Sequence, residues 1–253
     1  MASEKSNVQN IFSSIAEKYD MLNTVLTLNI DSLWRKKAIN ISNINENSKV
    51  LDLCCGTGKM IYYTCKKVGK DTEVTGLDFN EAMLAVGYKR LNKSINNYKF
   101  KLLKGDVQAL PFKDCSFDCV TIAFGLRNIP NKTKALSEIY RVLKPGGKAI
   151  CLELSTPQIP VFKQLYGLYF NYMLPIIGYL GTGSKNAYSY LRDSVNKFMS
   201  KAELKYAFES VGFNDTNYKS LSGGIASIHY GTKPVVNSII NTQSKKVLIM
   251  NNG

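Results

Sequence analysis

The chain has 253 residues, of which 45% are hydrophobic and 21% are charged. This balance excludes an intrinsically disordered chain, and the length suits one large domain or a core domain with an insertion. The net charge of +14 leaves three partners open: nucleic acid, an anionic membrane surface and a phosphate-bearing ligand. The first residues hold no apolar run typical of a signal peptide, so we expect a cytoplasmic protein.

The N-terminal part, residues 1–48, is predicted to be helical. The stretch 8–23 carries apolar side chains at the spacing of an amphipathic helix, namely Ile11, Phe12, Ile15 and Tyr19. A second helix is expected over residues 32–41. We interpret this part as a helical cap that covers the substrate.

The pattern changes at residue 49, where short apolar runs begin to alternate with helical stretches. The runs are KVLDLCC, EVTGLDF, YKFKLLKGD, FDCVTIAF and GKAICLEL. Such alternation favours a parallel sheet with helices on both faces. Two further strands, 214–221 and 225–234, are joined by the short turn 222–224, which makes them antiparallel neighbours. We therefore predict an α/β, Rossmann-like three-layer sandwich over residues 49–234, with a mostly parallel seven-stranded sheet that ends in an antiparallel hairpin.

An apolar insertion, residues 156–196, interrupts this core. Between Ile159 and Ser184 it contains a single charged residue, Lys163, but Pro175 and several glycines break it into pieces too short to span a membrane. Two interpretations stay open: a buried helical insertion, or a lid over a long apolar ligand that touches a membrane. The polar residues 235–253 are expected to form a flexible tail.

The strongest local motif is VLDLCCGTGKM, residues 50–60, where a strand runs into a Gly-x-Gly turn and a helix. Gly56 and Gly58 let the backbone approach a ligand, and the amide groups at the helix start face it. A dinucleotide fingerprint would need a third glycine where Ile61 stands, so the pyrophosphate motif is incomplete. A tight structural turn is the alternative explanation.

Two acidic residues at later strand ends point to the same crevice. Asp78 follows Gly56 by 22 residues and is placed to accept ribose hydroxyls, although it would also serve as a helix cap. Asp106, expected to end the third strand, is placed to accept an adenine amino group, unless it is only a surface turn residue. Together these features predict an adenosine ligand without a pyrophosphate grip, which indicates S-adenosylmethionine.

At this point the sequence resembles the ubiquinone/menaquinone biosynthesis C-methyltransferases, a family within the class I methyltransferases. The resemblance covers residues 8–234 and is most specific in ALPFKDCSFDCVTIAFGLRNIP and YRVLKPGGKAICLELSTP. Where the family often has Ser-x-Gly-x-x-Arg before the tryptophan, this chain has Asn29 and Ser32 in place of the glycine and the arginine. The resemblance implies the class I methyltransferase fold and an S-adenosylmethionine site formed by Asp52, Gly56, Thr57, Gly58, Asp78, Asp106, Val107 and Ala123.

The resemblance further implies methyl transfer to a ring carbon of a prenylated quinol. The favoured acceptor is the demethyl naphthoquinol of menaquinone synthesis, and the alternative is the methoxy benzoquinol of ubiquinone synthesis. An ionised ring hydroxyl would activate the carbon, and a cation beside the oxygen would favour that ionisation. Arg127, after the fourth strand, is the candidate cation, with a strand-end salt bridge as the alternative. Asn128 is the candidate to hold the second oxygen.

Other candidates have competing structural roles. His229, the only histidine, is predicted either to contact the substrate or remove a proton, or to be a buried structural residue. The candidate substrate-contacting residues are Tyr19, Asp20, Tyr188 and Tyr190, each of which also suits a core or capping position. No metal site is predicted, because the six cysteines show no metal-ligand spacing and are expected to be free thiols.

The partners expected are the prenylated quinol and the inner, anionic face of a membrane, reached as a peripheral protein. An RNA methyltransferase is disfavoured, because no RNA-binding module is appended and the fourth strand does not end in an Asn-Pro-Pro-Tyr-type motif; nucleic acid is thus not expected. A non-catalytic S-adenosylmethionine-binding protein remains an alternative, and a homo-oligomer is left open.

Overall fold

The computed structural model describes residues 2–157, 160–169 and 185–235. These residues form one seven-stranded sheet with the strand order β3-β2-β1-β4-β5-β7-β6. The strands are β1 (Val50–Leu53), β2 (Val74–Asp78), β3 (Phe100–Lys104), β4 (Phe117–Ala123), β5 (Leu143–Leu154), β6 (Asn214–Leu221) and β7 (Ala226–Thr232).

The helices that surround the sheet include three before its first strand. They are α1 (Ala2–Ile15), α2 (Tyr19–Thr27), α3 (Ile30–Ser42), α4 (Lys59–Val68), α5 (Glu81–Ile95), α6 (Lys132–Val142), α7 (Pro160–Leu168), α8 (Lys185–Asn196) and α9 (Lys201–Ser210). Short 3₁₀ turns occupy 16–18, 126–128 and 222–224.

The sheet is parallel except at its last two strands, as predicted. β1 pairs in parallel with both β2 and β4, and β7 runs antiparallel to both β5 and β6. β1 is buried on both faces, which suits its apolar residues Val50, Leu51 and Leu53 and makes the buried Asp52 the exception in this strand. The strand order reverses at β1, so β1 and its neighbour β4 flank the topological switch point where α/β folds bind ligands.

The hydrophobic core lies in two layers, one on each side of the sheet. Val50 faces the layer that contains Trp34 and Ile61, whereas its neighbour Leu51 faces the layer that contains Leu136 and Phe208. This alternation places α3, α4 and α5 on one side, and α6 and α9 on the other. The predicted three-layer sandwich is confirmed.

Two helix predictions need correction. The single helix expected over 8–23 is interrupted, because Ile15 leaves helical geometry with ψ at 0° and a 3₁₀ turn leads into α2. The stretch RVLKPGG, residues 141–147, has the pattern of a helix that stops at Pro-Gly-Gly, but α6 ends earlier, at Val142, and Leu143 already pairs with Phe117 of β4. In both cases tertiary contacts override a local helical pattern.

The departure from the family pattern at Asn29 has a simple conformational basis. Asn29 precedes α3 with φ at 60°, in the left-handed region where glycine is favoured and asparagine is tolerated. The Ser32 hydroxyl donates a hydrogen bond of 2.8 Å to Asn29 Oδ1. Asparagine therefore preserves the turn that the family often makes with glycine.

Part of the predicted insertion is helical. α7 and α8 form its two ends, while residues 158–159 and 170–184 lie outside the described residues, as does the predicted tail from residue 236 onwards. Across the ranges described, no helix combines the length and apolar character needed to cross a bilayer.

Candidate active site

A cavity of about 1020 Å³ opens at the carboxyl ends of the central parallel strands. Its floor is formed by the residues that follow β1, β2, β3 and β4, and its walls come from α1, α2, α3 and α8. The predicted cofactor residues that line it are Asp52, Gly56, Thr57, Asp78, Asp106, Val107 and Ala123. The structure therefore brings most of the predicted site to one crevice.

The Gly-x-Gly turn has a backbone shape that favours glycine. Gly56 and Gly58 have φ values of 51° and 77°, in the left-handed region. A Cβ on Gly58 would lie 2.7 Å from Leu91 Cδ1. Gly58 is absent from the cavity lining and instead packs on α5, so it shapes the turn from behind.

A glycine that the motif analysis missed supports the same turn. Gly87 lies inside α5, and a Cβ there would come within 2.8 Å of the Gly56 carbonyl oxygen and 3.3 Å of Thr57 Cα. The sequence signal was an isolated glycine in an amphipathic helix, which often marks a close backbone approach.

The predicted acidic residues after β2 and β3 lie at the cavity. The Asp78 carboxylate accepts hydrogen bonds from the Gly56 amide at 2.8 Å and the Asn80 amide at 2.9 Å. The cap of α5 is Asn80, whose side chain accepts from the Met83 amide, so Asp78 is not the cap. Asp106 lies two residues beyond the end of β3 rather than within the strand.

Asp52 presents a buried oxygen with an unused acceptor. Its Oδ1 accepts a hydrogen bond of 2.6 Å from the Thr121 hydroxyl, while Oδ2 has no partner among the described residues. Burial raises the pKa of Asp52 to about 7, although the Thr121 hydrogen bond and the charge of Arg35 lower it. A positively charged ligand group at Oδ2 would therefore be strongly favoured.

A buried cationic cluster faces the same cavity, and sequence analysis did not single it out. Asp31 is shared by Arg35, with Nε 3.4 Å away, and by Lys59, with Nζ 3.3 Å away. The Arg35 guanidinium also lies 4.9 Å from the centre of the Phe124 ring. Two cations and one carboxylate leave one net positive charge, which suits a ligand carboxylate.

Arg127 reaches the cavity rim as part of a buried ion pair. Its Nη1 lies 3.0 Å from Glu153 Oε2 and donates a 2.6 Å hydrogen bond to the Phe124 carbonyl, and its Nε donates to Ser194 Oγ at 3.3 Å. Nη2 makes no hydrogen bond to the described residues. Burial lowers the pKa of Arg127, but the charge and the hydrogen bond of Glu153, with smaller contributions from Tyr19 and Tyr190, together outweigh it and keep this pKa above its usual value.

The strand-end salt bridge considered as an alternative for Arg127 is thus present, and Arg127 also lines the cavity. The Arg127 side chain can therefore make the salt bridge to Glu153 and contact a ligand in the cavity at the same time. Sequence analysis missed Glu153, which lies 26 residues away on β5.

Aromatic side chains from α1, α2 and α8 form an aromatic wall of the cavity. The Phe12 ring packs edge-on against Tyr19 at 5.9 Å and Tyr190 at 6.5 Å, measured between ring centres. Tyr190 donates a hydrogen bond of 2.9 Å to Asn128 Oδ1. Burial raises the pKa of Tyr19, despite the opposing charge of Arg127, so its hydroxyl keeps its proton at neutral pH.

The other two predicted substrate residues differ in placement. Asp20 accepts a hydrogen bond of 2.7 Å from the Thr57 hydroxyl and pairs with Arg90 at 3.2 Å, so it ties α2 to the cofactor turn. Tyr188 lies in α8, but its side chain is outside the described part of the structure.

The structure does not bring His229 into the cavity. Its side chain is buried in the terminal hairpin, where Nε2 donates to the Lys201 carbonyl at 2.9 Å and the ring lies 5.2 Å from that of Tyr218. Burial, aided by the Lys201 charge, lowers the pKa of His229 to about 4. This position fits the structural alternative and gives no route to a substrate in the cavity.

Solved structures with this fold include a SAM-dependent methyltransferase from Thermotoga maritima, at a TM-score of 0.63 and 19% identity, covering 88% of this chain and 98% of that one. Another, from Aquifex aeolicus, has a TM-score of 0.59 and 19% identity, and covers 79% and 89%. The fold and the site define this protein as a class I, S-adenosylmethionine-dependent methyltransferase.

The chain belongs to the ubiE/COQ5 methyltransferase family, which it matches over residues 1–233. It is 46% identical over 236 residues to demethylmenaquinone methyltransferase of Staphylococcus aureus (strain JH9), covering 92% of this chain and 97% of the relative. The predicted family, fold, methyltransferase activity and cofactor are confirmed.

Proposed function

We propose that this enzyme methylates a ring carbon of demethylmenaquinol and so forms menaquinol. The observation that carries the proposal is a protonated Arg127 on the rim of the cofactor cavity, in a chain 46% identical to demethylmenaquinone methyltransferase. The proposed acceptor is a prenylated naphthoquinol, and the proposed location is the cytoplasm at the inner face of the membrane.

The residues around the Gly-x-Gly turn fit S-adenosylmethionine, which supplies a methyl group from its sulfonium centre. Asp78 and Asp106 provide acceptors for the ribose hydroxyls and the adenine amino group. Asp52 Oδ2, buried and without a partner among the described residues, accepts the amino group of the methionine part. The net positive charge of Arg35, Lys59 and Asp31 faces its carboxylate.

Arg127 activates the acceptor by stabilising the ionised ring hydroxyl. A phenolic hydroxyl has a pKa of about 10, so it ionises little at neutral pH without a nearby cation. Glu153 and the Phe124 carbonyl hold the guanidinium in place, and Nη2 remains available to the quinol oxygen. The hydroxyl proton passes to solvent, and the resulting electron density makes the adjacent ring carbon a nucleophile. After this carbon takes the methyl group, it loses its hydrogen as a proton to solvent, and the ring oxygen is protonated again.

The aromatic wall orients the quinol ring. The protonated Tyr19 hydroxyl donates a hydrogen bond to the acceptor, and Asn128, whose Oδ1 already accepts from Tyr190, offers its amide group to the second ring oxygen. Holding the ring carbon near the methyl group converts an encounter into an intramolecular step, which contributes several kcal/mol to catalysis. We propose that α1, α2 and α3 cap the substrate over this site.

Mass spectrometry of the products identifies the acceptor. The purified enzyme is incubated with S-adenosylmethionine and matched short-chain demethylnaphthoquinols and methoxybenzoquinols, with heat-inactivated enzyme as the control. We expect a mass gain of one methylene on the naphthoquinol ring. Methylation of the benzoquinol alone would replace the proposed acceptor, and cofactor binding without methylation of any quinol would indicate a non-catalytic protein.

A further inference from the structure

The outward faces of α2 and α3 carry a group of large apolar side chains exposed to solvent. Met21, Val25, Leu28 and Leu33 are 54%, 50%, 82% and 62% exposed, respectively. Met21 and Val25 are four residues apart and share one face of α2, and Leu28 follows as the residue that caps this helix. We call these four residues the N-terminal apolar face.

The remaining faces of these helices already have partners. Leu22 of α2 is buried against Val195 of α8, and Trp34 of α3 is buried in the core beside the sheet. The N-terminal apolar face is therefore separate from the faces that pack against the core, and it points to solvent. Scattered exposed apolar residues are ordinary, whereas such a cluster on adjacent helices marks an interaction site.

Leu28 occupies the tip of this surface in an unusual conformation. It caps α2 with φ at 50°, in the left-handed region that favours glycine or asparagine. The strained turn holds the Leu28 side chain in solvent, where it is the most exposed of the four. Within the part of the chain that the structure describes, neither the hydrophobic core nor the cavity lining includes this side chain, so it is available to contact a partner.

The charges around this face are mainly positive. Lys18, Lys36 and Lys37 are exposed, and the lysines of α3 follow Leu33 by three and four residues. Of the nearby acids, Asp20 and Asp31 are turned inward and paired, which leaves Glu17 exposed. An apolar face bordered by lysines is complementary to an anionic lipid surface, while a second copy would bring like charges together.

The inner sides of the same helices line the active-site cavity. Tyr19 of α2 and Arg35 of α3 both contribute to it. A molecule that enters from this face therefore has only one helical layer, about 10 Å thick, to pass. α7 lies at the same end of the molecule, since Tyr169, the residue that follows it, donates a hydrogen bond of 2.8 Å to the Leu26 carbonyl.

We infer that the N-terminal apolar face docks on an anionic lipid bilayer and presents the cavity to a quinol whose tail stays in the membrane. This inference rests on the proposed function for its substrate. It assigns the membrane contact to α2 and α3, whereas one of the two interpretations of the sequence gave this contact to the apolar insertion.

Co-sedimentation with vesicles tests the docking directly. The full chain is mixed with vesicles of equal parts phosphatidylglycerol and phosphatidylcholine, or of phosphatidylcholine alone. The double variant Leu28→Ser/Leu33→Ser should weaken partitioning to the anionic vesicles by about tenfold or more. Tyr206→Ser removes another large exposed side chain, 70% exposed on α9, and should have no effect.

A charge variant separates the two contributions. Lys36→Gln/Lys37→Gln should weaken anionic-vesicle binding by about tenfold and reduce its salt dependence. Lys101→Gln/Lys219→Gln makes the same charge change on the edge strands β3 and β6 and should bind like the wild type. Equal partitioning of the apolar double variant and the wild type would overturn the inference. So would a dimer, measured by light scattering, that the apolar double variant dissociates while no form of the chain binds vesicles.

Turnover of a short-chain, water-soluble demethylnaphthoquinol separates this inference from the proposed function. Leu28→Ser/Leu33→Ser should methylate the soluble quinol at the wild-type rate but lose most turnover of a long-chain quinol in vesicles. Wild-type protein that binds vesicles but methylates no quinol would refute the proposed function and leave the docking surface intact. A loss of both activities at an unchanged melting temperature would place these residues in the substrate site and overturn the inference.

Discussion

Two buried polar residues of the sheet, Asp52 of β1 and His229 of β7, each carry a side-chain atom without a partner among the described residues. Asp52 Oδ2 faces a large cavity, whereas His229 Nδ1 lies inside a closed hairpin. Burial shifts both groups toward their neutral forms, raising the pKa of Asp52 to about 7 and lowering that of His229 to about 4.

The difference shows that an unsatisfied buried atom does not by itself mark a functional site. Both atoms carry a desolvation cost of similar origin. At Asp52 the cavity gives a ligand access, so the cost is recovered when a cation binds. At His229 no cavity in the described part of the structure gives access to a ligand, so the desolvation cost is not recovered by binding. If this distinction holds, substitutions at the cavity should reduce activity or cofactor affinity, whereas substitutions at buried positions away from it should change stability alone.

The largest effect is expected for Arg127→Gln, which removes the rim cation. Methyl transfer should fall by about 10²–10³-fold, because the ionised quinol oxygen loses its charge partner, while cofactor affinity should change by less than about twofold. Leaving Glu153 unpaired should also lower the free energy of unfolding by about 3 kcal/mol. A turnover assay measures methyl transfer, and isothermal titration calorimetry measures cofactor affinity.

Arg141→Gln is the matched control, since Arg141 of α6 pairs with Glu138 of the same helix and with Asp114 in the turn before β4, and none of these three residues lines the cavity. Its turnover should equal that of the wild type. Unchanged turnover in Arg127→Gln would remove Arg127 from the mechanism and leave it as a structural brace.

A smaller effect is expected for Gly87→Ala, which adds a methyl group 2.8 Å from the Gly56 carbonyl oxygen. The cofactor turn must shift, so S-adenosylmethionine affinity should fall by about 10–100-fold. In Gly231→Ala the new Cβ would lie 2.9 Å from Phe213 Cβ, in the hairpin region. That variant should lose stability by about 1–3 kcal/mol and keep its cofactor affinity. An equal loss of cofactor affinity in Gly87→Ala and Gly231→Ala would contradict the proposed difference between the cofactor turn and the hairpin.

Asp52→Asn should reduce cofactor affinity by about tenfold and remove its pH dependence. The fold raises the pKa of Asp52 from 3.8 in the unfolded chain to about 7. The contribution of Asp52 to stability is therefore fully present below pH 3.8 and is lost as the pH rises through about 7. A bound ammonium group favours the ionised form, so wild-type affinity should rise about tenfold between about pH 6 and pH 8. Titration calorimetry in two buffers would detect the released proton; a flat wild-type profile would contradict this assignment.

The smallest effect on turnover is expected for His229→Gln, which should stay within about twofold of the wild type. The lowered pKa of His229 means that the unfolded chain binds the proton first, so the free energy of unfolding should fall as pH drops from 6.5 to about 4. The variant should lack this slope, as measured by urea unfolding across that range. Loss of turnover with a normal melting temperature would restore a catalytic role for His229.

The core fold and part of the candidate cofactor site were predictable from the sequence alone, because their signals are local. The strand-helix alternation gave the parallel sheet, and the short turn 222–224 made its end antiparallel. The positive φ values of Gly56 and Gly58 and the position of Asp78 at the end of β2 follow from neighbouring residues. Backbone conformation and strand ends are set largely by short stretches of chain.

The partners of the polar side chains were decided by the tertiary structure. Glu153 holds Arg127 from an adjacent strand, Asp20 reaches Thr57 across 37 residues, and Gly87 packs under the cofactor turn. The register of β7 against β5 likewise places His229 opposite Cys151, away from the cavity. Periodicity in the sequence predicts which residues are buried. Strand register and helix packing decide which buried residues contact one another, and a ligand reaches them only where a cavity opens.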